Sequence, residues 1–103
     1  MALAQDTDYL LLDEPTTYLD IAGQLELMKT LRTLADSGKG VVTVLHDLPL
    51  AFRFSDSIAV LNDGTIAVCD TPESVSRSGI IETVFGVGLR YDEEENAYSY
   101  RYL

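Results

Sequence analysis

The chain is short of cations. Seven Lys and Arg stand against seventeen Asp and Glu in 103 residues, a formal net charge of −10. A polyphosphate partner needs a basic face, so nucleic-acid binding is disfavoured. A phosphate loop of the form G-x-x-x-x-G-K-[ST] is also missing, the seven glycines standing singly or at turns. Cysteine is scarce: Cys69 alone excludes an internal disulfide, suits a reducing compartment and reads as a small buried apolar residue. No apolar run approaches the roughly 18 residues of a membrane span. Met1–Gln5 lacks the basic start of a signal peptide. These absences lead to the expectation of a soluble, cytoplasmic chain.

What is present suffices for a core. The composition is 47% hydrophobic, and the length suits one domain, marginally stable at this size. Tyr9–Leu12 runs unbroken into Asp13-Glu14 and is stopped by Pro15. This reads as a short buried strand delivering two carboxylates to its C-terminal end, where open parallel sheets hold their ligands. Ile21, Leu25, Met28, Leu31, Leu34 and Ala35 fall at helical spacing, so 21–36 reads as an amphipathic helix, with Asp20 as a candidate cap and Ser37-Gly38 and Gly40 as its end. Val41–Leu45, rich in β-branched residues, is a second buried strand ending at His46-Asp47. Strand, helix and strand make a parallel βαβ unit, so Asp13-Glu14 and His46 are expected on one edge.

Pro49–Phe54 reads as a short helix that packs Leu50, Phe52 and Phe54 inward. Ser57–Leu61 and Thr65–Cys69 flank Asn62-Asp63-Gly64, a strong hairpin signal. Thr71 and Pro72 begin another helix, and Ile80–Phe85 closed by Gly86 is one more. Val87–Tyr91 and Tyr98–Tyr102 read as two strands around the acidic turn 92–96, a solvated loop tip. Tyr98, Tyr100 and Tyr102 alternate and share one strand face, as packing for a small sheet. Met1–Gln5 reads as the last turns of a helix, and Asp6-Thr7-Asp8 turns the chain into the first strand.

Leu10–Pro15 resembles the Walker B strand and catalytic glutamate of an ABC-transporter ATPase, and Thr16-Thr17-Tyr18-Leu19-Asp20 resembles the D-loop that follows it. His46-Asp47-Leu48, the Thr-Pro-Glu helix start and Val84-Phe85-Gly86 resemble the importers of iron–siderophore, haem and cobalamin complexes. The resemblance implies an α/β fold: a partial P-loop NTPase-type sheet of parallel strands plus an antiparallel hairpin, with flanking helices. The phosphate-loop strand is lacking; in the family it lies between the strand ending at His46 and the strand starting near Ile58. The Q-loop and the signature motif are likewise not found. Residues 1–86 would be the C-terminal part of the nucleotide-binding domain and 87–103 its hairpin appendage.

By the same resemblance, Asp13 would hold Mg²⁺ through water, Glu14 would polarise the attacking water, and His46 would contact the γ-phosphate. Asp20 would align the site across two subunits, a role to set beside its capping one. ATP and Mg²⁺ are the implied cofactors. Membrane permease subunits and a second ATPase subunit are the implied partners, at the inner face of the cell membrane. Without a phosphate loop, these residues alone are expected to be inactive, and exposed strand edges favour self-association. Two other readings compete. A receiver-type domain needs a lysine at a later strand end, whereas Lys29 and Lys39 lie in the helix and its exit turn. A non-catalytic interaction module would use the acidic edge merely to bind a partner.

Overall fold

The computed structural model describes residues 9–103; the helix end expected over Met1–Gln5 and the turn at 6–8 lie outside the described residues. Two compact units divide the chain, Met1–His46 and Asp47–Leu103. The described strands form three separate two-stranded sheets.

In the first unit, β1 (Tyr9–Asp13) and β2 (Gly40–Val44) pair in parallel, Tyr9 opposite Gly40 and Asp13 opposite Val44. Between them runs α1 (Ile21–Asp36), over the span its apolar period predicts. Asp20 caps it: a carboxylate oxygen accepts from the Gly23 N–H at 2.7 Å, satisfying one of the orphan amides of a first turn. Leu10, Leu12, Met28 and Leu31 are buried, alternate residues of a strand and an i, i+3 pair of a helix. Helix α1 packs against β2.

Contrary to the expectation of strands buried on both faces, each strand of this pair is covered on one face only. β1 alternates, with Tyr9 79% and Leu11 73% exposed beside buried Leu10 and Leu12. Val42, opposite Leu11, and Val44, opposite Asp13, are exposed on the same face of the pair. One side of this sheet is thus core and the other is apolar surface. Ile21 is also exposed, at the helix's first position, one turn ahead of the partly covered Leu25.

In the second unit, α2 (Leu48–Phe54) begins with Asp47 as its cap, accepting from the Leu50 N–H at 3.1 Å, and carries Pro49 in its first turn. β3 (Ile58–Asn62) and β4 (Thr65–Asp70) form an antiparallel hairpin. Asp63 and Gly64 close it at φ +52° and +77°, the positive pair that a two-residue type I′ turn requires. Next come α3 (Pro72–Arg77), capped by the Thr71 hydroxyl accepting from the Ser74 N–H, and α4 (Ile80–Phe85), ended by Gly86. β5 (Gly88–Asp92) and β6 (Ala97–Arg101) pair antiparallel, each displaced by one residue from the span read in the sequence. In the exposed turn between them, Asp92 accepts from the Glu94 and Glu95 N–H groups, so the acidic run folds on itself as a loop tip.

Phe52, Ile58, Val60, Val75 and Ile81 form the core of this unit. Tyr98 packs at its margin, edge-on to Phe52 at 5.3 Å between ring centroids and tilted against Tyr91 at 5.0 Å. The Tyr100 hydroxyl accepts from the Leu48 N–H at 3.2 Å, satisfying an orphan amide at the start of α2. Tyr98 is therefore a packing residue, as the alternation implies, whereas Tyr100 is exposed and acts through its hydroxyl, and Tyr102 lies beyond β6 and is exposed. Cys69 is exposed, against the expectation of burial. β4 turns Val68 inward, so its neighbour Cys69, paired with Ala59, faces outward.

Burial, and then the nearby Tyr91 and Glu73 charges, push the Tyr98 phenol up from its ordinary value, against a smaller opposing effect of Arg77. A raised phenol favours the fold while both folded and unfolded chains stay neutral, below about pH 10. That contribution is lost as pH climbs through the folded value, because the unfolded chain ionises first. Urea unfolding at about pH 8 and about pH 11 should therefore show a smaller alkaline loss of stability in Tyr98→Phe than in the parent; equal losses would contradict the assignment.

Candidate functional site

β1 does not simply stop at Asp13. The Glu14 N–H donates to the Val44 carbonyl at 2.9 Å, carrying the parallel ladder one residue further. Glu14 itself sits at φ +49°, a left-handed conformation that costs a non-glycine residue about 1–2 kcal/mol. The chain turns there, and the Glu14 carboxylate meets the ring of His46: Glu14 Oε1 is hydrogen-bonded to His46 Nε2. Thirty-two residues separate the two in sequence. Parallel pairing brings both to the strand ends, and the left-handed turn puts their side chains in contact. The pair faces solvent, His46 at 78% and Glu14 at 43% side-chain exposure, so its own contribution to stability is small and a ligand can reach it.

The segment after Glu14 is a series of tight turns. The Thr17 hydroxyl and N–H both donate to the Glu14 carbonyl, at 3.1 and 3.3 Å, and the Leu19 N–H donates to the Thr16 carbonyl at 3.1 Å. Thr16 is buried. Of the four residues singled out in the sequence, the structure brings Glu14 and His46 into contact. Asp13 is exposed at the end of β1, its backbone opposite Val44. Asp20 commits a carboxylate oxygen to the cap of α1. Sequence reasoning passed over Gln24, whose amide reaches back to this segment, and Asp47, whose carboxylate caps α2 directly after His46. A sequence signal existed for Asp47, an acid two residues before Pro49 at a helix start.

Among the described residues, no three His, Cys, Asp or Glu side chains converge as a metal cage. Mg²⁺ carried on a nucleotide needs only one or two carboxylates, the rest of its shell being phosphate oxygens and water. Asp13, exposed at the end of β1, offers one carboxylate of that kind. A cleft of about 580 Å³ lies in the second unit among Phe52, Arg53, Arg77, Tyr91 and Tyr98 and includes none of the four residues. No helix among the described residues is long and apolar enough to cross a membrane.

No family model matches the chain. Individual proteins do. The hemin import ATP-binding protein of Pseudoalteromonas translucida is 41% identical over 90 residues, 87% of this chain and 34% of that protein. The achromobactin transport ATP-binding protein of Dickeya dadantii is 42% identical over 91 residues, again 87% of this chain and 34% of the relative. A hemin import ATP-binding protein of Rhodopseudomonas palustris reaches 51% identity over 80 residues, 78% of this chain and 30% of its own length. The chain thus spans about a third of the length of the curated relatives it matches.

Solved structures agree. One is cbiO1 from Clostridium perfringens, part of the ABC transporter complex cbiONQ; it superposes with a TM-score of 0.60 at 29% identity, over 75% of this chain and 32% of that one. An inward-facing metal-chelate-type ABC transporter superposes with a TM-score of 0.71 over 93% of this chain and 39% of its own, at 19% identity, a likeness of fold. The fold is a partial P-loop NTPase-type α/β fold. By sequence and by fold, the chain is a homologue of the C-terminal part of ABC-transporter ATP-binding proteins.

Proposed function

We propose that this chain supplies the hydrolytic edge of the ATP-hydrolysing subunit of an ABC importer, one that energises uptake of an iron–siderophore, haem or cobalamin type of cargo. The observation that carries the reading is the Glu14–His46 contact at the ends of two parallel strands, in a homologue of hemin, achromobactin and petrobactin import proteins. Phosphoryl transfer to water asks little covalent work of a protein; it asks for positioning and charge stabilisation. Glu14 accepts a proton from the attacking water as general base. His46 holds Glu14 from one side and offers its ring to the γ-phosphate. Asp13 would hold Mg²⁺ through water, and the ion would supply positive charge against the phosphate oxygens. Asp20, besides capping α1, faces a second ATPase subunit. Residues 1–86 belong to the nucleotide-binding domain and 87–103 to its hairpin appendage, and permease subunits hold the assembly at the inner face of the membrane.

The 103 residues do not perform this work alone. Backbone amides and the lysine of a phosphate loop normally bind the β- and γ-phosphates, and this acidic stretch contains no such loop. Titration calorimetry of the chain with MgATP should give millimolar affinity or none; a micromolar dissociation constant would overturn this. A graft of the chain in place of the matching segment of the Pseudoalteromonas translucida protein tests the positive half of the proposal. There Glu14→Gln should lower ATP turnover by about a hundredfold or more while leaving ATP binding intact. Unchanged turnover would remove Glu14 from the chemistry.

A further inference from the structure

We propose that Gln24 is a positioning residue: its side-chain amide, carried on the first turns of α1, holds the 14–20 segment in the turn that delivers Glu14 to His46. The inference rests on the reading above only in assigning work to Glu14; the clamp itself is a matter of geometry.

The bonds inside the segment are local. Those from Thr17 to the Glu14 carbonyl and from Leu19 to the Thr16 carbonyl shape a turn but attach it to nothing. Besides the Glu14–His46 contact and the Asp20 cap, the segment is attached at two points. At one end, the Glu14 N–H is bonded to Val44 of β2. At the other, Gln24 Nε2 donates to the Leu19 carbonyl at 3.1 Å and to the Thr16 carbonyl at 3.4 Å, a bond spanning eight residues from helix to turn. Asp20 fixes the start of the same helix through the Gly23 N–H, so the first turns of α1 are a firm base for the Gln24 side chain. Thr16 is a buried residue, and its carbonyl accepts from both the Leu19 N–H and the Gln24 amide.

The chemistry specifies the residue type. A glutamine amide carries two N–H donors, one for each carbonyl. Methionine has similar length and no donor. Lysine keeps donors on a longer stem. The left-handed backbone of Glu14 makes such a clamp consequential, because a strained conformation persists only where its surroundings hold it.

The test is amide hydrogen exchange, read by NMR on the 103-residue chain without nucleotide. In Gln24→Met, the Glu14, Thr17 and Leu19 amides should exchange about threefold to tenfold faster, the range expected for one lost hydrogen bond. The amides within β1 (Tyr9–Asp13) and β2 (Gly40–Val44) should keep their protection, and Gln24→Lys should return the segment to within about twofold of the parent. Unchanged exchange in Gln24→Met would overturn the proposal. So would equal acceleration throughout the first unit, which would make Gln24 a general stability residue, or a failure of lysine to rescue. No ATP enters the experiment, so a failure of the hydrolytic reading leaves this result standing, and a failure here leaves that reading untouched.

Discussion

One backbone hydrogen bond, from the Glu14 N–H to the Val44 carbonyl, ties the candidate site to the fold. It extends the parallel pairing of β1 and β2 past the last strand residue and fixes where the chain turns. Because the strands run the same way, the ends of both lie on one edge, and residues far apart in sequence become neighbours there. Antiparallel pairing would send His46 to the opposite edge. The left-handed backbone at Glu14 then converts proximity into contact with His46. Asp20 and Gln24 secure the far side of the same turn from α1.

The second unit is held by different means. Its core of Phe52, Ile58, Val60, Val75 and Ile81 joins α2, the β3–β4 hairpin, α3 and α4. The β5–β6 hairpin is fastened to α2 through two tyrosines of β6: Tyr98 by its ring against Phe52, Tyr100 by its hydroxyl against the Leu48 N–H. Aromatic side chains with a polar tip serve both kinds of contact. Asp47 and Thr71 cap α2 and α3 through side-chain oxygens, so these helices of seven and six residues each start with one orphan amide satisfied.

Much of this was legible in the sequence where a local rule has a sharp physical cause. The span of α1 follows from its apolar period together with Asp20 and Gly38 at its ends. The β3–β4 turn follows from Asp63-Gly64, because few other pairs adopt two positive φ angles. The common edge for Glu14 and His46 follows from strand–helix–strand order. The expectations that failed depended on what covers a face. The unbroken apolar run at Tyr9–Leu12 and the β-branched run at Val41–Leu45 imply two covered faces, yet Leu11 and Val42 lie on an exposed one. The residue type of Cys69 implies burial, whereas the side it faces is set by hairpin register. The left-handed conformation of Glu14 and the reach of Gln24 have no periodic signal, since both arise from turns closed by side chains.

The direction and register of two strands decide whether Glu14 and His46 can meet, and cross-strand nuclear Overhauser effects in the 103-residue chain measure both. Parallel pairing predicts contacts between the backbone protons of Asp13 and those near Val44, between Tyr9 and Gly40, and between the Glu14 side chain and the His46 ring. Contacts between Asp13 and Gly40, with none joining Glu14 to His46, would contradict it.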